Sequence, residues 1–192
     1  MPLDKYSCFK ELEAAEAVGK DFMFIARPRD GTSVAVIAPH GGGIEPLSAE
    51  LAEAIAGSDF SFYCFKGLKK SGNRDLHIAS HRFDEPTCLM LVATHKSVLA
   101  IHGCDEEGER CLLGGRDASL VGELAKALNA AGIIAETEGH NYPGKDPNNV
   151  CNRGASSAGV QIELSMPFRK GKQIPTFLEV VRTVLAKRQN AA

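Results

Sequence analysis

The run SVAVIAP (33–39) constrains this chain more than any other stretch. It is short, apolar, rich in β-branched residues and ended by proline, which marks a buried strand. The residues after it have helix character. Pro46 suits a first helical turn, Leu47, Leu51 and Ile55 recur at i, i+4 and i+8, and Gly57 is a stop signal. The alternation continues along the chain. FSFYCFKG (60–67), TCLMLVATH (87–95), SVLAIHG (97–103), IIAET (133–137) and GVQIELS (159–165) read as strands. Asp117 can cap a helix with Leu120, Leu124 and Leu128 on its apolar face, ending near Gly132. IPTFLEVVRTVLAKR (174–188) is a helix with Phe177, Val181, Val184 and Leu185 on one side. Strands alternating with helices predict an α/β sandwich around a mixed, mostly parallel sheet flanked by helices. A length of 192 residues suits one domain over 1–192. The segment 138–159 is a long loop rich in turn residues, and such loops in compact domains are usually functional or disordered.

Composition excludes several classes. A formal net charge of −2 gives no electrostatic footprint for nucleic acid or an anionic membrane. No apolar run approaches spanning length, and MPLDKYSCFKELEAAEAVGK has no apolar signal-peptide region. Cys8, Cys64, Cys88, Cys104, Cys111 and Cys151 form no C-x-x-C pair. They read as buried or free thiols in a reducing, cytoplasmic compartment.

The stretch PHGGGIEP (39–46) poses the functional question. It could be a glycine-rich turn with an incidental His40, the oxyanion loop of an esterase, or half of a metal site. The esterase reading has a degenerate partner in ASSAG (155–159), with Ser157 at the elbow position. It fails on order: the serine precedes a strand rather than a helix, and His140, the last histidine, lies before it. The metal reading explains more. His40 and His102 lie at the carboxyl ends of two predicted strands, where sites form in open α/β sheets. Glu45 lies beside a predicted helix N-terminus, which favours its ionised form. Three glycines between His40 and Glu45 permit a tight backbone path. Two imidazoles and a carboxylate leave a position for water, the pattern of a catalytic zinc. Glu163 interrupts the apolar run VQIEL, which is costly unless it is paired or faces a polar cleft, and it is the candidate proton acceptor.

Taken together, PHGGGIEP, SHRFDEPTC, IHGC, GGRD and NVCNRG…GVQIELS resemble the phage-type poly-γ-glutamate hydrolases and their bacterial relatives, from about residue 30 to residue 186. That family resembles a reduced zinc carboxypeptidase. The resemblance implies a zinc carboxypeptidase-like α/β core, one zinc on His40, Glu45 and His102, and Glu163 as general base. The implied activity is zinc-dependent hydrolysis of γ-glutamyl amide bonds in poly-γ-glutamate. An N-acyl-amino-acid deacylase and a non-catalytic metal- or ligand-binding domain of the same fold are the alternatives. A cytoplasmic enzyme would reach an extracellular polymer on cell lysis, as the phage resemblance suggests.

A carboxylate-rich substrate calls for arginine forks. Arg153 in the long loop is the leading candidate, with Asn152 beside it as an amide donor, and with Arg116 and Arg74 as further loop cations. Asp84 and Glu85 could orient a ligand histidine from behind. His77 and His81 are four apart, but the segment lacks helical support, so they read as loop or cleft residues rather than ligands. His95 reads as incidental, His140 as a residue lining the cleft, and Asp105, Glu106 and Glu107 as a solvated turn.

Overall fold

The computed structural model describes residues 4–190. In chain order it comprises α1 (Phe9–Ala15), β1 (Phe22–Arg27), β2 (Val34–Gly42), α2 (Ser48–Ala56), β3 (Ser61–Gly67), α3 (Pro86–Ala93), β4 (Ser97–Cys104), β5 (Cys111–Gly115), α4 (Ala118–Ala130), β6 (Ala135–Glu136), β7 (Val160–Ser165), α5 (Met166–Arg169) and α6 (Ile174–Asn190). The strands form one sheet in the order β1-β3-β2-β4-β7-β5-β6. Parallel pairing joins β2 to β3 and β4, β4 to β7, and β5 to β6. β1 on β3 and β5 on β7 are antiparallel. This is the mixed, mostly parallel α/β sandwich that the alternating pattern predicts.

The apolar character of SVAVIAP follows from its central place. Val34, Val36 and Ala38 pack into one core, with Leu51 and Ile55 of α2, Leu120 and Leu124 of α4, and Phe177 and Val181 of α6. Ala35 and Ile37 point the other way, into a second core with Phe9 and Leu12 of α1 and Leu91 and Val92 of α3. A strand covered on both faces has no polar side to present.

Two local expectations are corrected. The stretch 87–95 is mainly helix α3, not a strand. Pro86 opens it and the Glu85 carboxylate accepts from the N–H groups of Thr87 and Cys88, so a capped start decides what the apolar run alone leaves ambiguous. The helix after Glu45 begins at Ser48 rather than Pro46, and Leu47 stands before it in a left-handed conformation, φ 74°. The strands β1 and β5 carry no strong alternation and were not expected. All six cysteines are free, five of them buried.

Candidate active site

Three neighbouring parallel strands, β2, β4 and β7, bring polar side chains to their carboxyl ends. On β4, Leu99 and Ile101 enter the first core while Val98 and Ala100 enter the second, so His102 emerges on the second face. On β7, Val160, Ile162 and Leu164 enter the first core, which leaves Gln161 and Glu163 on the face of His102. His102 and Glu163 are register partners.

Simple alternation from Ala35 and Ile37 would turn His40 away from that face. The register shows why it does not: Ala38 pairs with Cys64 but Gly41 pairs with Lys66, so β2 carries one extra residue around Pro39 and His40. This β-bulge re-aims His40 toward His102. Glycine is required just after it. At Gly41 a Cβ would lie 2.7 Å from the Cβ of Ala49 and 2.9 Å from the carbonyl oxygen of Phe65. Gly42 has φ +63° and sits against the Gly67 backbone.

His40 Nδ1 lies 3.0 Å from Glu45 Oε1 and 3.2 Å from His102 Nδ1, and His102 Nδ1 lies 3.4 Å from Glu45 Oε2. All three residues are buried. His40 Nε2 donates to the carbonyl of Ile78 at 2.8 Å. A carbonyl only accepts, so the hydrogen of neutral His40 sits on Nε2 and the lone pair of Nδ1 faces His102 and Glu45. Glu45 Oε2 accepts from the Gly103 N–H at 2.9 Å, which fixes the carboxylate. The arrangement fits a metal ion. Tetrahedral zinc with bonds of about 2.0–2.1 Å needs ligand atoms about 3.3 Å apart, close to the spacings here. Two imidazole nitrogens meeting beside a carboxylate also form a set of donors that a cation satisfies. The other ring nitrogen of His102, Nε2, is buried and has no hydrogen-bond partner among the described residues.

Electrostatics separates the two carboxylates. Burial pushes the Glu45 carboxyl up, but His40 and His102 outweigh it and hold Glu45 well below the ordinary glutamate range. Burial raises Glu163 to about 7, with His102 and Arg169 opposing and Glu45 adding to the rise. His102 is raised, because Glu163 and Glu45 outweigh its burial. One carboxylate is thus held ionised while its neighbour is poised to exchange a proton near neutral pH.

These groups line a cavity of about 500 Å³ with Arg74, His77, His81, Arg82, Asp105 and Tyr142 on its walls. The other expected site residues are placed differently. Arg153 and Arg116 are exposed and do not line this cavity. Asn152 is buried and spent on the loop: its amide donates to the carbonyls of Gly144 and Asp146, and its oxygen accepts from the N–H groups of Gly159 and Arg116. Asp84 accepts from the Phe9 N–H at the start of α1, and Glu85 caps α3, so both carboxylates serve helix ends rather than the expected histidine. His140 bonds the Leu113 carbonyl of β5 and accepts from the Tyr142 N–H in its own loop, and His95 bonds the Leu91 carbonyl and the Ser61 hydroxyl. Ser157 is exposed and does not line the cavity.

Sequence reasoning missed three supporting residues. Asn149 donates to Gln161 Oε1 at 2.7 Å, which turns the Gln161 amide nitrogen toward Glu163 Oε1 at 3.2 Å. Gln161 interrupts an apolar run two residues from Glu163, the same signal that marked Glu163. Buried Arg169 donates to the Pro46 carbonyl and packs against Gly103, adding positive charge behind Glu45 and Glu163.

Among the described residues no helix is long and apolar enough to cross a membrane. The chain is similar to known proteins over most of its length. UPF0714 protein YndL of Bacillus subtilis (strain 168) is 37% identical over 169 residues, and the SPbeta prophage-derived UPF0714 protein YoqZ of the same strain is 35% identical. Both matches cover 87% of this chain but only 66% and 61% of those proteins, so the chain spans about two thirds of their length. In structure, a bacteriophage poly-gamma-glutamate hydrolase superposes with a TM-score of 0.93 at 28% identity, covering 99% of this chain and 100% of that one. A zinc-free apo structure of YndL superposes with a TM-score of 0.90 at 33% identity, covering 97% and 99%. An N-formylglutamate amidohydrolase from Ralstonia eutropha JMP134 shares the fold, with a TM-score of 0.59 at 13% identity, covering 88% and 97%. The poly-gamma-glutamate hydrolase family model matches residues 6–177, and the chain belongs to that family.

Proposed function

We propose that this protein is a zinc-dependent hydrolase of the γ-glutamyl amide bonds of poly-γ-glutamate. His40, Glu45 and His102 would hold the ion. The reading rests above all on two imidazole nitrogens 3.2 Å apart, each within 3.0–3.4 Å of one oxygen of the Glu45 carboxylate, beside a carboxyl raised to about 7. Bound zinc supplies Lewis acidity, lowering the pKa of a water toward about 7 and polarising a carbonyl.

The chain's own groups do the rest. Glu163 takes a proton from the attacking water and hands it to the leaving amine nitrogen. The Gln161 amide aims that carboxylate, and the positive charge of Arg169 opposes part of the rise that burial and Glu45 impose on Glu163. Each unit of the polymer carries a free α-carboxylate, which is expensive to desolvate without a cation. Arg74 on the cavity wall is the arginine best placed to meet it.

The test is incubation of the purified protein with poly-γ-glutamate, read by polymer length, with a chelator and with zinc added back. Shortening that the chelator abolishes and zinc restores is expected. Undiminished shortening after complete metal removal would sink the metal half of the proposal. An intact polymer with fully loaded protein would sink the substrate half.

A further inference from the structure

His77 stands on the cavity wall beside the three donors, and its orientation is fixed from a distant part of the chain. Asp4 accepts from His77 Nδ1 at 2.7 Å, from the Ala79 N–H at 2.7 Å and from Arg82 Nη2 at 2.8 Å. An ionised carboxylate only accepts, so the hydrogen of neutral His77 sits on Nδ1 and Nε2 is left as a bare lone pair. Nε2 lies 3.9 Å from Glu45 Oε1. The ring rests against His40, with centroids 4.1 Å apart. One donor atom from each of His40, Glu45 and His77 can be chosen so that all lie within 4.8 Å of one another. His77 is thus prepared as His40 is: one ring nitrogen is held by an acceptor and the other is free to bind. Metal-bound histidines are characteristically held in this way.

The segment carrying Asp4 is anchored. Glu16 accepts from the Tyr6 hydroxyl at 2.5 Å and pairs with Lys69 at 2.6 Å, and Asp84 holds the start of α1. We propose that Asp4 is a positioning residue that holds His77 as a fourth protein donor to the ion of the His40–Glu45–His102 cavity. Catalytic zinc can expand from four to five donors, so a fourth donor from the protein is compatible with one position left for water. The inference rests on the metal reading of this cavity.

Zinc affinity, measured by competition with a chromophoric chelator, tests it without recourse to activity. His77→Gln should weaken zinc at least about tenfold, and Asp4→Asn by about 10–100-fold, as loss of a carboxylate behind a ligand histidine does. If Asp4 acts through His77, the double variant binds no more weakly than His77→Gln alone. Arg82→Gln, which removes another partner of Asp4, should stay within about threefold of wild type. Melting of the metal-free forms checks folding, and if Asp4→Asn fails to fold, His77→Gln alone decides. Wild-type affinity in His77→Gln overturns the proposal, as does an Asp4→Asn loss undiminished in the His77→Gln background. His102→Ala separates the two levels. If it keeps full zinc, or wild type takes up none, the metal reading of the cavity fails. If it loses zinc while His77→Gln does not, the fourth donor alone fails.

Discussion

His102 and Glu163 are register partners on adjacent parallel strands and share one face of the sheet. The pairing sets a candidate ligand beside a candidate base through backbone hydrogen bonds alone, with no loop to order. It gives a clear expectation for Glu163→Gln, whose amide fills nearly the same space but cannot take up the proton of water. Zinc content and fold should be kept, and kcat should fall by about 10²–10⁴, the usual contribution of a general base. A variant within about threefold of wild type would remove Glu163 from that role.

The same residue ties stability to pH in the metal-free protein. Its folded pKa, about 7, lies above the ordinary 4.5, so between these values the folded state holds a proton that the unfolded chain has released. Stability contributed by this proton is full below about 4.5 and is lost as pH rises through about 7. His77 is lowered to about 4, chiefly by burial, and gives the opposite slope between about 4 and 6.5. The informative quantity is therefore the difference between wild type and Glu163→Gln. In denaturant unfolding of the metal-free forms, the glutamine variant should gain on wild type from pH 5 to pH 8. The change should be on the order of 1–3 kcal/mol. A pH-independent difference would show that the carboxyl is not held protonated by the fold.

The sheet was legible in the sequence because a strand covered on both faces, such as β2, must be apolar throughout. His40, Glu45, His102 and Glu163 stood out because they break apolar runs or crowd a glycine turn, both costly without a purpose. The structure brings these four together in one cavity. What stayed hidden depends on tertiary contact. The bulge that re-aims His40 appears only in the β2–β3 register. Asp4 meets His77 across 73 residues of chain, a pairing that no local spacing announces. Asn152 and Arg153 looked alike as loop polar groups, yet one is buried with its amide spent on backbone and the other is exposed. The apolar stretch 87–95 reads as a strand from its run of apolar residues, but the Glu85-Pro86 start makes most of it helix α3.

Two glycine substitutions separate the demands of the bulge from ordinary helix propensity. At Gly41 an added methyl would meet Ala49 of α2 and the Phe65 carbonyl, so Gly41→Ala forces helix and strand apart. Overpacking of this kind costs typically about 1–3 kcal/mol, and it displaces the turn that carries His40. Both melting temperature and activity should fall. At Gly122, inside α4, a methyl meets no neighbouring atom of the described residues within 4 Å. Gly122→Ala should raise stability by about 0.5–1 kcal/mol and leave activity unchanged. Thermal melts with matched assays check both, and a harmless Gly41→Ala would mean that α2 and the bulge can separate without consequence.

Recognition of the polymer divides the arginines. Arg74 lines the cavity, whereas Arg153 and Arg116 are exposed outside it. A γ-linked glutamate presents one α-carboxylate per unit, and a guanidinium meets it with two parallel bonds. Arg74→Ala should therefore lower kcat/KM on poly-γ-glutamate by at least about tenfold, or about 1.4 kcal/mol of lost transition-state binding. Arg74→Lys keeps the charge without the fork and should fall between. Zinc content should be unchanged in both. Arg153→Lys should remain within about threefold of wild type, because its side chain does not reach the chemistry. An amide substrate lacking the α-carboxylate serves as the control: wild type and Arg74→Ala should cut it equally poorly. The opposite ranking, a slow Arg153→Lys and a normal Arg74→Ala, would mean that the polymer crosses the face carrying residues 150–153 before it enters the cavity. Substrate recognition would then belong to the long loop rather than to the cavity wall.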